Sequence, residues 1–200
     1  MMDSPATSSR DRIVQAAMEL FWRKGYGSTS IADILETARV NSGSLYYFFK
    51  GKQELLVAVL ESYRDGLDAM LLVPRWGVVE DPVEKVFALL ATYRRLLVET
   101  DCFYGCPIGS LALELHEPDP EVRELIAANF EAWTSAVRGC LQQAGLKDGT
   151  DHQALAELVL TVMEGAVMQT RTYRHIGHYD RAVTQLRDYL DSLRKSTGAK

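Results

Sequence analysis

Residues 29–52 read TSIADILETARVNSGSLYYFFKGK, and every other part of the chain is best understood from this stretch outward. Thr29 or Ser30 is placed to cap a short helix whose apolar positions are Ile31, Ile34 and Leu35. Asn41, Ser42, Gly43 and Ser44 form a turn and cap cluster, and a short aromatic segment, Leu45 through Phe49, follows it. That third helix is too short and too aromatic for an ordinary core helix. Leu45 and Phe49 stand four apart, so both can point inward and anchor it, which leaves Ser42, Gly43, Ser44, Tyr46 and Tyr47 on the other side. Gly43 and the serines keep one end slim enough for close approach to a nucleic-acid backbone, and helix N-terminal N–H groups favour phosphate oxygens. Tyr46 and Tyr47 offer a hydroxyl to phosphate and a ring to a thymine methyl. Lys52, opening the next helix, is placed to reach a phosphate.

Upstream, Ile13, Ala16, Ala17, Leu20 and Phe21 recur at helical spacing, and Gly25 stops the run. Downstream, Glu54 sits in the first turn of a longer helix with Leu55, Leu56, Val59, Leu60 and Tyr63 as its apolar positions. Three short helices and a long one, with a four-residue turn between the second and third, are helix-turn-helix architecture. Beyond it the chain is punctuated by helix starts: Asp81 before Pro82 and Glu84, Asp119 before Pro120 and Glu121, and the capping box of Thr150, Asp151, His152 and Gln153. Stops fall near Thr100, Glu117, Gly145 and Gly177. The expectation is an all-α protein of about nine helices: a flexible start over 1–9, a DNA-binding module over 10–55, and a larger helical domain over 56–200, which the resemblance given below makes the ligand-binding and dimerisation domain.

The net charge of −5 is unevenly spread. Residues 1–52 carry seven Lys and Arg against five Asp and Glu, a balance of +2, and the remainder holds −7. A mildly basic head on an acidic body suits a small DNA-reading module attached to a larger domain that does not touch DNA. No run approaches the roughly 18 to 20 apolar residues of a membrane span. The first twelve residues lack the apolar core of a secretory signal, so a cytoplasmic location is expected. Cys102, Cys106 and Cys140 then read as reduced thiols rather than a disulfide framework, and His116, His152, His175 and His178 show no metal spacing. Neither a cofactor nor a metal is expected. Nucleophile elbow, phosphate loop and carboxylate dyad are all missing, which argues against an enzyme. A purely structural helical protein would not need the slim aromatic third helix.

The chain resembles TetR-family repressors. Ile13, Ala16, Ala17, Leu20, Phe21, Gly25 and Tyr26 carry the match in the first helix. Thr29, Ile31, Ile34 and Ala38 follow, and then Val40, Gly43, Leu45, Tyr46, Phe49 and Lys52. The resemblance implies a homodimer that reads a palindromic double-stranded operator and is released by a small molecule. By position it makes Thr29, Ser42, Gly43, Ser44, Tyr46, Tyr47 and Lys52 the DNA-contacting residues. Two departures stand out. Arg39 occupies the turn position where the family usually has Gly, so it must adopt a left-handed conformation at some cost or the turn must differ. Phe48 replaces a common His and cannot make that residue's phosphate hydrogen bond.

In the larger half, Gly105, Cys106 and Pro107 resemble the entry to the sixth helix in the branch that includes the LmrA and YxaF repressors. Cys106 at a helix N-terminus reads two ways: as a small buried hydrophobe, or as an electrophile or redox sensor. A pocket for a small hydrophobic or amphipathic effector is expected among Tyr93, Leu97, Phe103, Cys106, Leu111, Phe130, Trp133, Met163, Val167 and Tyr173. Gln169 and Glu164 are polar groups on otherwise apolar helix faces, able to orient a ligand or to be solvated. Residues 152–173 are apolar over much of the circumference, which points to a homodimer interface built from 152–173 and 178–193.

Overall fold

A computed structural model describes residues 8–195 and gives, among them, nine helices with no named strand. They are α1 Ser9–Lys24, α2 Ile31–Ala38, α3 Ser42–Phe48, α4 Lys52–Leu67, α5 Pro82–Glu99, α6 Pro107–Glu114, α7 Pro120–Gln143, α8 His152–Tyr173 and α9 Gly177–Ser192. Most of the start expected to be flexible, residues 1–7, lies outside the described residues, and Ser8 already caps α1 by accepting from the Asp11 N–H at 3.1 Å. The chain divides into two compact units, residues 1–65 with 107–129 and residues 66–106 with 130–200. The first unit therefore takes in α6 and the opening turns of α7, which a boundary at residue 55 leaves with the larger half.

Within the first unit, the helical spacing read from α1 becomes a buried face of Ile13, Val14, Ala16, Ala17, Leu20 and Phe21. Gly25 ends the helix at φ 87°, a backbone conformation that L side chains resist, and donates its N–H to Phe21 O at 3.0 Å. Ser30, not Thr29, caps α2. Its hydroxyl accepts from the Asp33 N–H at 3.1 Å, and the Asp33 carboxylate accepts from the Ser30 N–H at 2.9 Å, a reciprocal box that satisfies two end donors. The same hydrogen bonds, those from Ser30 foremost, hold the Asp33 carboxyl below its usual range. Arg39 takes the left-handed conformation that its position demands, φ 53° and ψ 50°, and Val40 donates back to Leu35 O at 3.1 Å. Asn41 then caps α3, its side chain accepting from the Ser44 N–H at 2.8 Å.

The second unit contains a departure that no periodicity revealed. After α4 the backbone runs into a π-helical turn, Asp68–Leu72, and a last α turn, Val73–Trp76. Pro74 is the physical reason: it cannot donate to the carbonyl four residues back and its ring crowds that carbonyl, so the turn widens, and Val73 donates to Asp68 O, five residues back. The three helix starts anticipated from Asp81, Asp119 and Asp151 are all present, each carboxylate accepting from N–H groups of the first turn. Asp81 is also held bidentately by Arg194 at 3.0 and 3.2 Å, which together with the cap lowers its carboxyl. Helices α8 and α9 pack on each other and on α5. Arg94 grips Asp180 and Arg187 grips Glu84, both bidentately, and the Arg187 guanidinium lies 3.7 Å above the Phe87 ring centre.

Arg39 supplies a direct test of the turn. Replacing it with Gly relieves the left-handed cost at the expense of a more mobile unfolded chain, and should raise stability by about 1 kcal/mol. Arg39→Val, with a branch at Cβ, should lower it. Chemical denaturation midpoints of the three proteins check the order.

Candidate functional site: an outward helix ridge and an interior polar cluster

The exposed face of α3 is built by the pattern read from its sequence. Leu45 is fully buried and Phe49 nearly so, with the Arg10 guanidinium 5.5 Å from the Phe49 ring centre. Ser42 and Gly43 are exposed, Ser44 is partly so, and Tyr46 and Tyr47 stand out at 56% and 82% exposure. The Tyr47 ring rests edge-on against Phe48, 4.8 Å between centres, so its outward pose is supported by a neighbour rather than left loose. Ser42, Gly43, Ser44, Tyr46 and Tyr47 thus present one narrow, polar-aromatic ridge.

Two of the expected DNA contacts lie elsewhere. Thr29 is only 1% exposed, and its hydroxyl donates inward to Gly25 O at 2.7 Å and Leu20 O at 3.3 Å. It stitches α1 to α2 and is too buried to meet DNA, a correction to the positional reading. The Lys52 ammonium turns inward as well, donating to Tyr26 O at 2.8 Å and Thr29 O at 2.9 Å and lying 4.3 Å from the Tyr26 ring centre. From the other side Glu114, the last residue of α6, accepts from the Tyr26 N–H at 2.9 Å and the Gly27 N–H at 2.6 Å. A Cβ on Gly25 or Gly27 would sit within about 3 Å of that carboxylate, so both glycines make room for it. One cation on carbonyls and one anion on amides therefore clamp the turn between α1 and α2. Burial, and then the charge of Glu114, pushes the Tyr26 phenol up. Nothing in the local pattern at Glu114 signals this role, because its partners lie nearly 90 residues away.

The second unit gathers a different set. Tyr93 from α5, Cys106 just before α6, Trp133 from α7, Glu164 from α8 and Tyr179 from α9 meet as a polar cluster within apolar surroundings. The Cys106 thiol hydrogen-bonds to Glu164, while Glu164 Oε1 is buried with no hydrogen-bond partner. The Trp133 indole N–H lies beside the Tyr93 hydroxyl without reaching good hydrogen-bond geometry. Tyr179 donates to Leu90 O at 2.8 Å. Burial raises the Glu164 carboxyl, with the Cys106 hydrogen bond opposing it, and burial followed by the charges of Cys106 and Glu164 raises Tyr93. Gly105 lets this segment close on α8, since any Cβ there would overlap Val167.

Of the residues expected to line an effector pocket, Tyr93, Cys106 and Trp133 belong to this cluster, and Met163 and Val167 are buried on α8. Phe103 is 48% exposed beneath the Arg174 guanidinium. Gln169 faces solvent, and Tyr173, 65% exposed, stacks on His178 at 4.4 Å. Phe130 is partly exposed, and Leu111 is core of the other unit. For Phe130, Leu111 and Tyr173 the cause is that helical spacing identifies apolar residues without saying which face each one serves, whereas Phe103 lies in the loop before α6, where no such spacing applies. Tyr179 was missed because its polar neighbours disguise a fully buried ring.

A slim aromatic helix held out from a three-helix module defines a helix-turn-helix DNA-binding protein. Residues 13–59 match the family of bacterial regulatory proteins of the tetR type, and residues 82–185 match the C-terminal domain of LmrA/YxaF-like transcriptional regulators. The HTH-type transcriptional regulator Rv0196 of Mycobacterium tuberculosis is 30% identical over 90% of this chain and 93% of its own. The HTH-type transcriptional repressor DhaR of a Mycobacterium species is 25% identical over 89% and 90%. The crystal structure of a regulatory protein TetR from Rhodobacter sphaeroides superposes with a TM-score of 0.80 at 23% identity, covering 89% of this chain and 96% of that one. The chain belongs to the TetR family of transcriptional regulators, on the LmrA/YxaF-like branch, and is a regulator rather than an enzyme.

The clamp predicts that Glu114→Ala lowers stability by about 1–2 kcal/mol, the scale of charge-assisted hydrogen bonds at an accessible site. Lys52→Met should also lower the denaturation midpoint while leaving the salt dependence of DNA binding unchanged. A fall of about one unit in that salt slope would instead place the ammonium on a phosphate.

Glu164 predicts a pH dependence of the opposite sense to an ordinary salt-bridged acid. Its folded carboxyl is raised, so the folded protein holds that proton more tightly than the unfolded chain does. The stabilisation is complete below the ordinary value of 4.5 and is lost as pH climbs through the raised one. Glu164→Gln should therefore melt above the natural protein at pH 8 and converge with it towards pH 4. The groups facing Glu164 are Cys106, Tyr93 and Tyr179, so thermal melts between those limits report on the carboxyl itself.

Proposed function

We propose that the protein is a cytoplasmic homodimeric repressor that binds a palindromic operator through α3 and is released by a small-molecule effector in its second unit. The observation that carries the DNA reading is α3 itself: two anchors buried, and Ser42, Gly43, Ser44, Tyr46 and Tyr47 turned outward on one ridge. Tyrosine hydroxyls and small polar side chains on such a ridge suit phosphate and base-edge contacts together. The relative DhaR is a transcriptional repressor, which supports the same sign of regulation here. No helix among the described residues is long and apolar enough to cross a membrane.

Dimerisation is supported by what α8 leaves uncovered. Leu155, Ala156, Val159, Met163, Ala166, Val167 and Thr170 are buried within the unit, and Leu158 and Met168 remain exposed on the same helix. Tyr189 of α9 is exposed too, and Leu155, Leu158, Tyr189 and Leu193 share the wall of an open groove. Apolar exposure of this kind on two adjacent helices suits a four-helix bundle with a second copy. Ala166 is core, so a charge there would test folding rather than assembly; Leu158 and Met168 are the positions that test the interface. Their spacing, ten residues along one helix, extends the surface over almost three turns.

The test combines the two readings. Operator sites selected from random DNA should be palindromic, and Tyr47→Ala should weaken binding to them about tenfold or more, the loss of a 1–3 kcal/mol contact, with an unchanged sedimentation profile. Leu158→Glu combined with Met168→Glu should shift sedimentation to monomer and weaken operator binding in step. Full operator affinity in Tyr47→Ala would remove α3 from the interface, and a dimeric double variant would move the assembly surface elsewhere.

A further inference from the structure

We propose that Arg10 and Arg39 are phosphate anchors that bracket α3, one beyond each end of the helix, and that they hold the DNA backbone bordering the major groove. This rests on the reading of α3 as the helix that enters the groove, and adds the points at which the protein grips the strands.

A DNA-binding surface owes much of its affinity to Lys and Arg side chains that displace counterions from phosphates. Residues 1–52 hold seven such residues, and most are engaged within the protein. Arg23 pairs with Glu19 at 2.8 Å, Lys24 with Asp33 at 3.3 Å and Lys50 with Glu54 at 3.4 Å. Lys52 is turned onto two carbonyls, and Arg12 donates to the Ser9 hydroxyl at 3.2 Å. Arg10 and Arg39 remain. Both are exposed, and neither forms an ion pair or a side-chain hydrogen bond among the described residues. The acids beside them leave them free: Asp11 accepts from the Ser8 hydroxyl at 2.8 Å, and Glu36, a turn before Arg39, points to solvent.

Their places matter as much as their charge. Arg39 stands in the turn two residues ahead of Asn41, the cap that opens α3. The Arg10 guanidinium lies 5.5 Å from the ring centre of Phe49, the residue that closes it. Seven residues of helix span about 10 Å and the major groove is about 12 Å wide, so groups just beyond both ends come within reach of the bordering phosphates. Phe48 brings no hydrogen-bond donor to its end of the ridge, and Arg10 supplies one there, steadied against a ring and shaped to meet two phosphate oxygens at once.

Arg39 carries a second, independent mark. Its backbone is left-handed, φ 53°, a conformation that costs a residue with a Cβ and that Gly or Asn adopts more easily. Backbone strain of this kind collects where function needs it, and here the strained residue has no internal partner for its side chain. A phosphate supplies that partner. A compact anion could reach one of the two arginines, whereas a row of phosphates reaches both.

The experiment is fluorescence anisotropy with the full chain on two labelled duplexes of about 30 base pairs, long enough for two half-sites one helical turn apart. One is selected from random DNA by the natural protein, and the other is a scramble of it. Affinity is read between about 50 and 200 mM salt. Arg10→Gln and Arg39→Asn should each weaken binding to both duplexes by the same factor, about fivefold or more, and flatten the salt slope by about one unit per protomer. Arg10→Lys and Arg39→Lys keep the charge and should keep the slope. Arg23→Gln, which removes a cation already paired with Glu19, should leave it unchanged. Arg39→Gly should weaken DNA binding while raising the denaturation midpoint, opposite signs that a structural role for the side chain does not produce. Natural slopes in Arg10→Gln and Arg39→Asn, an equal loss in Arg23→Gln, or slopes lost as fully in the Lys variants would each overturn the anchors. If Tyr47→Ala weakens binding to the selected duplex while the arginine variants keep the natural slope, the DNA reading stands and the anchors fall. A natural protein that binds neither duplex overturns both.

Discussion

A seven-residue helix has almost no stability of its own in water, because its few hydrogen bonds do not offset the cost of nucleating the first turn. Helix α3 is that short, and it carries the outward ridge of the helix-turn-helix domain. It persists because Leu45 and Phe49 are drawn into a core shared with α1, and because Asn41 caps its open end. The turn between α1 and α2 is set partly by the Tyr26 ring packing edge-on against Phe21, 5.2 Å between centres, and partly by charge. Lys52 on two carbonyls and Glu114 on two amides hold residues 26–29 from opposite sides. Thr29 adds a third hold from within. The outward ridge of α3 thus stands on a turn held by internal hydrogen bonds from Lys52, Glu114 and Thr29.

The second unit follows a different economy of polar groups. Its surface ion pairs, Arg94 with Asp180, Arg187 with Glu84 and Arg194 with Asp81, tie α9 and its C-terminal end to α5 and its cap, and each is accessible enough to contribute mainly direction and register. Stability comes from the apolar packing of α5, α8 and α9, including the fully buried ring of Tyr179. Against that background Glu164 is the exception, a carboxyl placed where burial is costly and left short of partners. Proteins keep such groups at positions where something other than folding needs them, and perturbed carboxyls collect at binding sites for that reason.

What the sequence made legible was whatever depends on neighbours a few residues apart. The buried faces of α1 and α3, the three Asp-initiated helix starts and the left-handed backbone of Arg39 are all local consequences of spacing or residue chemistry. The outward pose of Tyr46 and Tyr47 followed from the same logic. Long-range partnerships were not legible. Thr29 looks like a cap and a DNA contact until α1 is seen to supply its acceptors, and Lys52 looks free until the turn 26 residues earlier is found beneath it. The widened turn at 68–72 has its cause in Pro74, but Pro74 alone does not say whether a helix will stop, kink or bulge. In the second unit, apolar spacing identified α8 as interior and could not divide its residues between core, pocket and partner.

The segment Gly105, Cys106, Pro107 shows how one short run can meet three demands at once. Gly105 is small because α8 passes too close for a Cβ, with Val167 occupying the space. Pro107 opens α6, where a missing N–H is no loss. Between them, Cys106 is buried and hydrogen-bonds to Glu164, far from the exposed, cation-flanked setting in which cysteines become reactive. Its chemistry matters in another way. A serine in the same place would be a strong donor and would settle the carboxylate more fully, whereas a thiol donates weakly and leaves Glu164 short of what its charge requires. The thiol therefore opposes the burial that raises the Glu164 carboxyl without cancelling it.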